Sequence, residues 1–238
     1  MTRGLLVVTM PAMVTALDNA RPARRPAPGP GAQRRAITAL SVDIVGSMAL
    51  CSAMSDECWW LVIDELFTIL SDGIQRFGGW VENFAGDGML AVFGTEADER
   101  RQARRACTAA LWLRDAAERY AAELERRQGV ELSVRIGINS GDAVIGALGT
   151  IPTPRVVTIG HSVGLAKRIE TLAEPGSVYI GQATAALLQD ALDVCALGTF
   201  EVRGARSPVA LFELLGPGAA ATDDGSQAEC RQLVAAAA

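Results

Sequence analysis

The chain has 238 residues, half of them hydrophobic, and a formal net charge of −5. That length suits one domain with tails and a substantial core. The acidic balance argues against a generic nucleic-acid surface, and no apolar run is long enough for a membrane span.

Residues 1–36 read as a disordered N-terminal extension. Gly4 to Leu17 is apolar but broken by Pro11, with only Arg3 ahead of it, a poor match to a signal peptide. Ala20 to Arg35 is Pro, Ala, Gly and Arg with little packing pattern. Five scattered cysteines without a C-x-x-C pair read as reduced thiols of a cytoplasmic protein, neither a disulfide framework nor a zinc site. Lys167 is the only lysine.

Folded structure is expected over residues 37–215, with 216–238 a disordered C-terminal tail. Ile37 to Ile44 reads as a buried strand that stops at Val45-Gly46-Ser47. Asp43 near its end is open to two readings. It caps the helix that follows, or it pairs with Asp87 to bind Mg²⁺ or Mn²⁺, hard cations that prefer oxygen. Backbone N–H groups at Gly46 and Ser47, at a helix start, suit a phosphate. Apolar spacing predicts one helix from Ser47 to Phe77, ended by Gly78-Gly79.

Gly78 to Gly94 reads as a hairpin, with Gly86-Asp87-Gly88 between two β-rich runs. Alternation predicts Asn83, Ala85 and Asp87 on one face. Asn83 then lies roughly 13 Å from Asp87, a separation that suits a nucleotide along the strand with its phosphates at the turn.

Asp98 to Arg127 reads as a long amphipathic helix with a solvated arginine face. Leu132–Asn139 and Ala143–Leu148 are expected as two strands joined by a turn at Ser140-Gly141-Asp142. A strand Arg155–Ile159, a helix His161–Leu172, a strand Ser177–Ile180, a short helix from Gln182 and a last hairpin (Leu197–Val202, Val209–Leu214) follow. Gly164 and Arg168 share a face of the second of these elements, and a helical glycine costs about 1 kcal/mol against alanine. The order β-α-β-β-α-β-β from Ile37 to Leu148 contains a ferredoxin-like arrangement: an α+β fold, with an antiparallel sheet and helices on one face.

Four ordered motifs give these residues a context: S-V-D-I-V-G-S at 41–47, G-G-W-V-E-N-F-A-G-D-G-M-L-A-V-F at 78–93, R-I-G-I-N-S-G at 135–141 and I-G-H-S-V-G-L-A-K-R-I-E at 159–170. Over about Ile37 to Leu215 the chain resembles the class III adenylate and guanylate cyclases. The resemblance implies a head-to-tail homodimer with active sites at the subunit interface. It also implies that Asp43 and Asp87, helped by the Ile44 carbonyl, bind two divalent metals, Mg²⁺ or Mn²⁺. Arg168 matches the arginine that steadies phosphate charge from the other subunit.

Three positions depart from the family pattern. Asn83 stands where a purine-reading lysine is common, and Lys167, in a distant segment, is not expected to replace it. Val157 stands at the second base-reading position, and Gly164 at that of a ribose-orienting asparagine. The resemblance with these departures implies a slow, poorly selective cyclase acting on ATP more readily than GTP. The alternative is an inactive pseudo-cyclase that binds nucleotide or serves as a dimerisation module. A heterodimer with another cyclase subunit would be a third arrangement.

Overall fold

The structure is a computed structural model that describes residues 32–94, 97–148, 155–205 and 207–217. Its strands are β1 (Gln33–Ile44), β2 (Trp80–Ala85), β3 (Gly88–Phe93), β4 (Val134–Leu148), β5 (Arg155–Ile159), β6 (Val178–Gly181), β7 (Leu192–Phe200) and β8 (Val209–Pro217). The helices are α1 (Ser47–Ala53), α2 (Asp56–Arg76), α3 (Glu99–Gln128), α4 (His161–Leu172) and α5 (Gln182–Leu188). The strands form one sheet in the order β2-β3-β1-β4-β6-β8-β7, with β5 also pairing to β4. Every pairing is antiparallel except β4 with β6. The α+β class stands, with one parallel pair inside a mostly antiparallel sheet.

Within Ile37–Leu148 the helices pack on one face as expected, and α4, beyond that stretch, covers the other. Strand alternation sends Leu40, Val42 and Ile44 into a core shared with Leu66, Leu70 and Ile74 of α2 and Leu113 of α3. Ala39 and Ile37 point the other way, to a cluster with Trp80, Val156 and Ala166 of α4. Gly137 allows α4 to lie this close. A Cβ there would sit 2.1 Å from the Glu170 nitrogen and 2.4 Å from the Ala166 carbonyl oxygen, so only glycine fits beneath the helix.

Two expected boundaries differ. The helix predicted over Ser47–Phe77 is two helices, because Met54 is extended and Ser55 caps a new start, its side chain accepting from the Cys58 N–H. Asp56 and Glu57 then occupy the first turn, where acidic groups favour a helix N-terminus. Ser140-Gly141-Asp142 is no turn. β4 runs through it, because β1 begins at Gln33 and supplies Thr38, Ile37 and Ala36 as ladder partners. Arg34 donates to Asp142 across that ladder. Among the cysteines, Cys51, Cys58 and Cys107 are free thiols, whereas Cys195 is disulfide-bonded, a departure from the reading of all five as reduced.

Candidate active site

β1 ends beside the β2–β3 hairpin, and the ladder between β1 and β3 sets Asp43 opposite Gly88. Asp87 therefore belongs to the turn one residue before the partner of Asp43. Gly86 makes that turn possible with φ of 65°. A Cβ on Gly88 would lie 3.2 Å from Asp43 Oδ1, so this oxygen faces the hairpin with no side chain at position 88 to cover it. Gly46, also left-handed at φ 66°, is the N-cap of the seven-residue α1, and Ser47 is its first residue.

Asp43 and Gly88 share a cavity of about 140 Å³ with Asn83 of β2 and with Gly164, Lys167 and Glu170 of α4. A β-bulge between Val81 and Asn83 decides what β2 offers to it. Trp80 and Glu82 turn to the α4 face, and the extra residue returns Asn83 and Ala85 to the same face, where both line the cavity. Phe84 points away and stacks on Phe67 of α2, with ring centroids 5.0 Å apart. Lys167 and Asn83 thus line one cavity although 84 positions separate them in the sequence. This corrects the expectation that Lys167 is too distant to serve there.

Glu82 itself is buried, at 6% exposure. Its carboxylate accepts from Trp80 Nε1 at 3.0 Å, Thr158 N at 2.9 Å and Thr158 Oγ1 at 3.2 Å. These bonds fasten β5 over β2. Val156 and Thr158 point inward, so the intervening Val157 points outward and is not part of the cavity wall. Arg168 is also turned aside. Its Nη1 donates to the Gly164 carbonyl at 3.1 Å, and a Cβ on Gly204 would lie 3.3 Å from its Nη2. One chain therefore brings Asp43, Asn83 and Gly164 together, but not Val157 or Arg168.

A charged cluster missed in the sequence lies behind Asp43. Arg135 of β4 donates through Nη2 to Asp43 Oδ2 at 2.9 Å and through Nη1 to the Thr171 carbonyl at 3.3 Å. Its Nε lies 2.9 Å from Glu170 Oε1, an ion contact without hydrogen-bond alignment. Ser41 Oγ donates to Glu170 Oε2 at 3.3 Å. Burial pushes the Glu170 carboxyl up to about 7, and the nearby Asp43 charge adds to this. Arg135, the Ser41 bond and Lys167 oppose it. A signal was present: an arginine inside the apolar strand motif R-I-G-I needs a buried acidic partner.

The donors offered near the hairpin are oxygens, which suits a hard divalent cation. Among the described residues no group of three or more His, Cys, Asp or Glu could hold a metal, so a cation at Asp43 would rest on two carboxylates and main-chain oxygen. Among the same residues no helix is long and apolar enough to cross a membrane.

Residues 31–216 match the family described as the adenylate and guanylate cyclase catalytic domain, and the chain belongs to that family, the class III nucleotide cyclase domains. It is 27% identical over 191 residues to adenylate cyclase 1 of Rhizobium meliloti (strain 1021), covering 79% of this chain and 29% of that protein. The chain thus spans under a third of that relative. Among solved structures it is similar to the guanylyl cyclase Cya2, with a TM-score of 0.74 and 28% identity over 79% of this chain and 95% of the other. The fold also matches the adenylyl cyclase CyaB from P. aeruginosa, with a TM-score of 0.74 and 24% identity over 83% and 98% of the two chains.

Proposed function

We propose that this domain converts a nucleoside triphosphate, ATP ahead of GTP, into a 3′,5′-cyclic nucleotide and pyrophosphate, slowly and with weak base selectivity. The observation that supports it most is the pairing of Asp43 with Gly88, which sets the Asp87 turn beside an uncovered carboxylate oxygen in a cavity. Asp43, Asp87 and the Ile44 carbonyl are the groups to hold two divalent ions, Mg²⁺ or Mn²⁺. Bound there, such ions lower the pKa of the ribose 3′-hydroxyl and hold the departing pyrophosphate. The N–H groups of Gly46 and Ser47 receive phosphate oxygens. Lys167, the one basic residue among the described residues that line the cavity, adds positive charge near Asn83, whose amide both donates and accepts and so favours neither purine strongly.

Arg168, turned from Asp43 within its own chain, acts on a nucleotide held by a second subunit. The working form is then a head-to-tail homodimer in the cytoplasm. Positioning and charge stabilisation dominate phosphoryl transfer, and losing one preorganised polar group costs about 10²–10³ in rate. Gly164 supports slowness on that ground, and Val157 supports weak base selectivity.

They equally support a second reading, a pseudo-cyclase without turnover, or a heterodimer whose other subunit supplies the absent asparagine and lysine. Purified protein with Mn²⁺ or Mg²⁺ and ATP or GTP, followed by detection of cyclic product, separates these. Metal-dependent product, lost in Asp43→Asn, supports the cyclase. Silence that persists in the triple variant Gly164→Asn, Asn83→Lys, Val157→Asp, without metal-dependent nucleotide binding, overturns it.

A further inference from the structure

Arg135 engages three partners with its three guanidinium nitrogens: the Asp43 carboxylate of β1, the Glu170 carboxylate of α4 and the Thr171 carbonyl. The fork is rigid and planar, so fixing two of its contacts fixes the direction of the third. Asp43 and Arg135 are direct ladder partners, and Glu170 is 2% exposed. The two oxygens of Asp43 are thereby divided: Oδ2 receives Arg135, while Oδ1 faces the hairpin at Gly88.

We propose that Arg135 is a positioning residue that, held by Glu170 of α4, occupies Asp43 Oδ2 and so aims Asp43 Oδ1 at the Asp87 turn. The inference rests on the reading of Asp43 as a cation ligand. Simple electrostatics opposes it, since a guanidinium beside a cation site repels the cation and its removal should tighten binding. Positioning predicts the reverse. Groups that hydrogen-bond a metal-ligating carboxylate are worth about 10–100-fold in metal affinity.

The test is Mn²⁺ binding to the full chain without nucleotide, followed by electron paramagnetic resonance, with the melting temperature recorded alongside. Arg135→Met should weaken Mn²⁺ by about 10–100-fold and change the spectrum of the ion that remains bound. Glu170→Gln with Arg135→Met, which leaves no unpaired buried carboxylate, should weaken it equally. Arg135→Lys, with the charge but not the fork, should recover only part of the affinity.

Unchanged or tighter Mn²⁺ binding in the Met variants, while Asp43→Asn abolishes it, overturns the positioning role and leaves Asp43 as ligand. Full recovery by lysine does the same, because charge alone would then suffice. Loss of fold in both Met variants marks Arg135 as a structural brace and overturns the proposal too. If Asp43→Asn leaves Mn²⁺ binding intact, or wild type binds none, the ligand reading fails with it.

Discussion

The β1–β3 end of the cavity and its α4–β5 rim are built in different ways. At the β1–β3 end, Asp43 sits in a ladder with Gly88 on one side and Arg135 on the other, and a buried carboxylate stands behind it. At the rim, position 164 has no side chain, position 157 is an outward-pointing valine, and Arg168 lies along its own helix. A charge locked into a hydrogen-bonded ladder is costly to lose, because removing one partner strands the others in low dielectric. A rim residue with no buried partner changes at little cost to folding. Stability therefore protects the acidic end and leaves the rim free to drift, whatever happens to activity.

The sharpest way to break this contrast is Asp43→Asn or Asp87→Asn, which should lower cyclic-nucleotide formation by at least about 10³ in a radiolabel assay. Asn83 and the rim are tested in the opposite direction. Gly164→Asn with Asn83→Lys and Val157→Asp should raise kcat/KM by about 10²; no gain would mean that these positions are not what limits the domain.

Glu170 carries a pH signature. Its carboxyl is raised from the ordinary 4.5 to about 7, so between those values the folded state binds more protons than the unfolded state. Stability from this group is complete below about pH 4.5 and is lost as pH rises through 7, by about 3 kcal/mol in all. Thermal melts at pH 5 and pH 8 should show that fall, and Glu170→Gln should flatten it.

Glu82→Ala strands the buried Thr158 N–H and should cost about 1–3 kcal/mol in urea unfolding. A cost near zero would show that β5 is held by packing alone. Smallest is Lys167→Met, where KM for ATP should rise about threefold to tenfold with kcat unchanged, equivalent to about 1 kcal/mol. A fall in kcat instead would move Lys167 from binding to the chemical step.

Much of this arrangement was legible in the sequence where signals were local. The glycines around Asp87 marked the hairpin, and apolar spacing located α3 to within a residue or so of each end. The rest depended on partners far along the chain. Ser140-Gly141-Asp142 has turn composition and became strand because β1 extends back to Gln33. The break at Met54 was readable in the Ser-Asp-Glu that follows, since Ser55 caps the start of α2. That α4 covers the second face follows from the bare backbone at Gly137, a contact no spacing rule reports. The same crossing brought Lys167 to Asn83 and Glu170 to Arg135.

The single extra residue in β2 puts one more side chain on the α4 face without moving the paired residues on either side of it. Deleting Glu82 would remove the bulge and leave Asn83 opposite Leu90 on the α4 face and Phe84 on the α2 face, while Thr158 of β5 would lose its carboxylate partner. The bulge therefore supplies the buried clamp between β2 and β5, and the order in which Asn83, Phe84 and Ala85 pair with β3 does not depend on it.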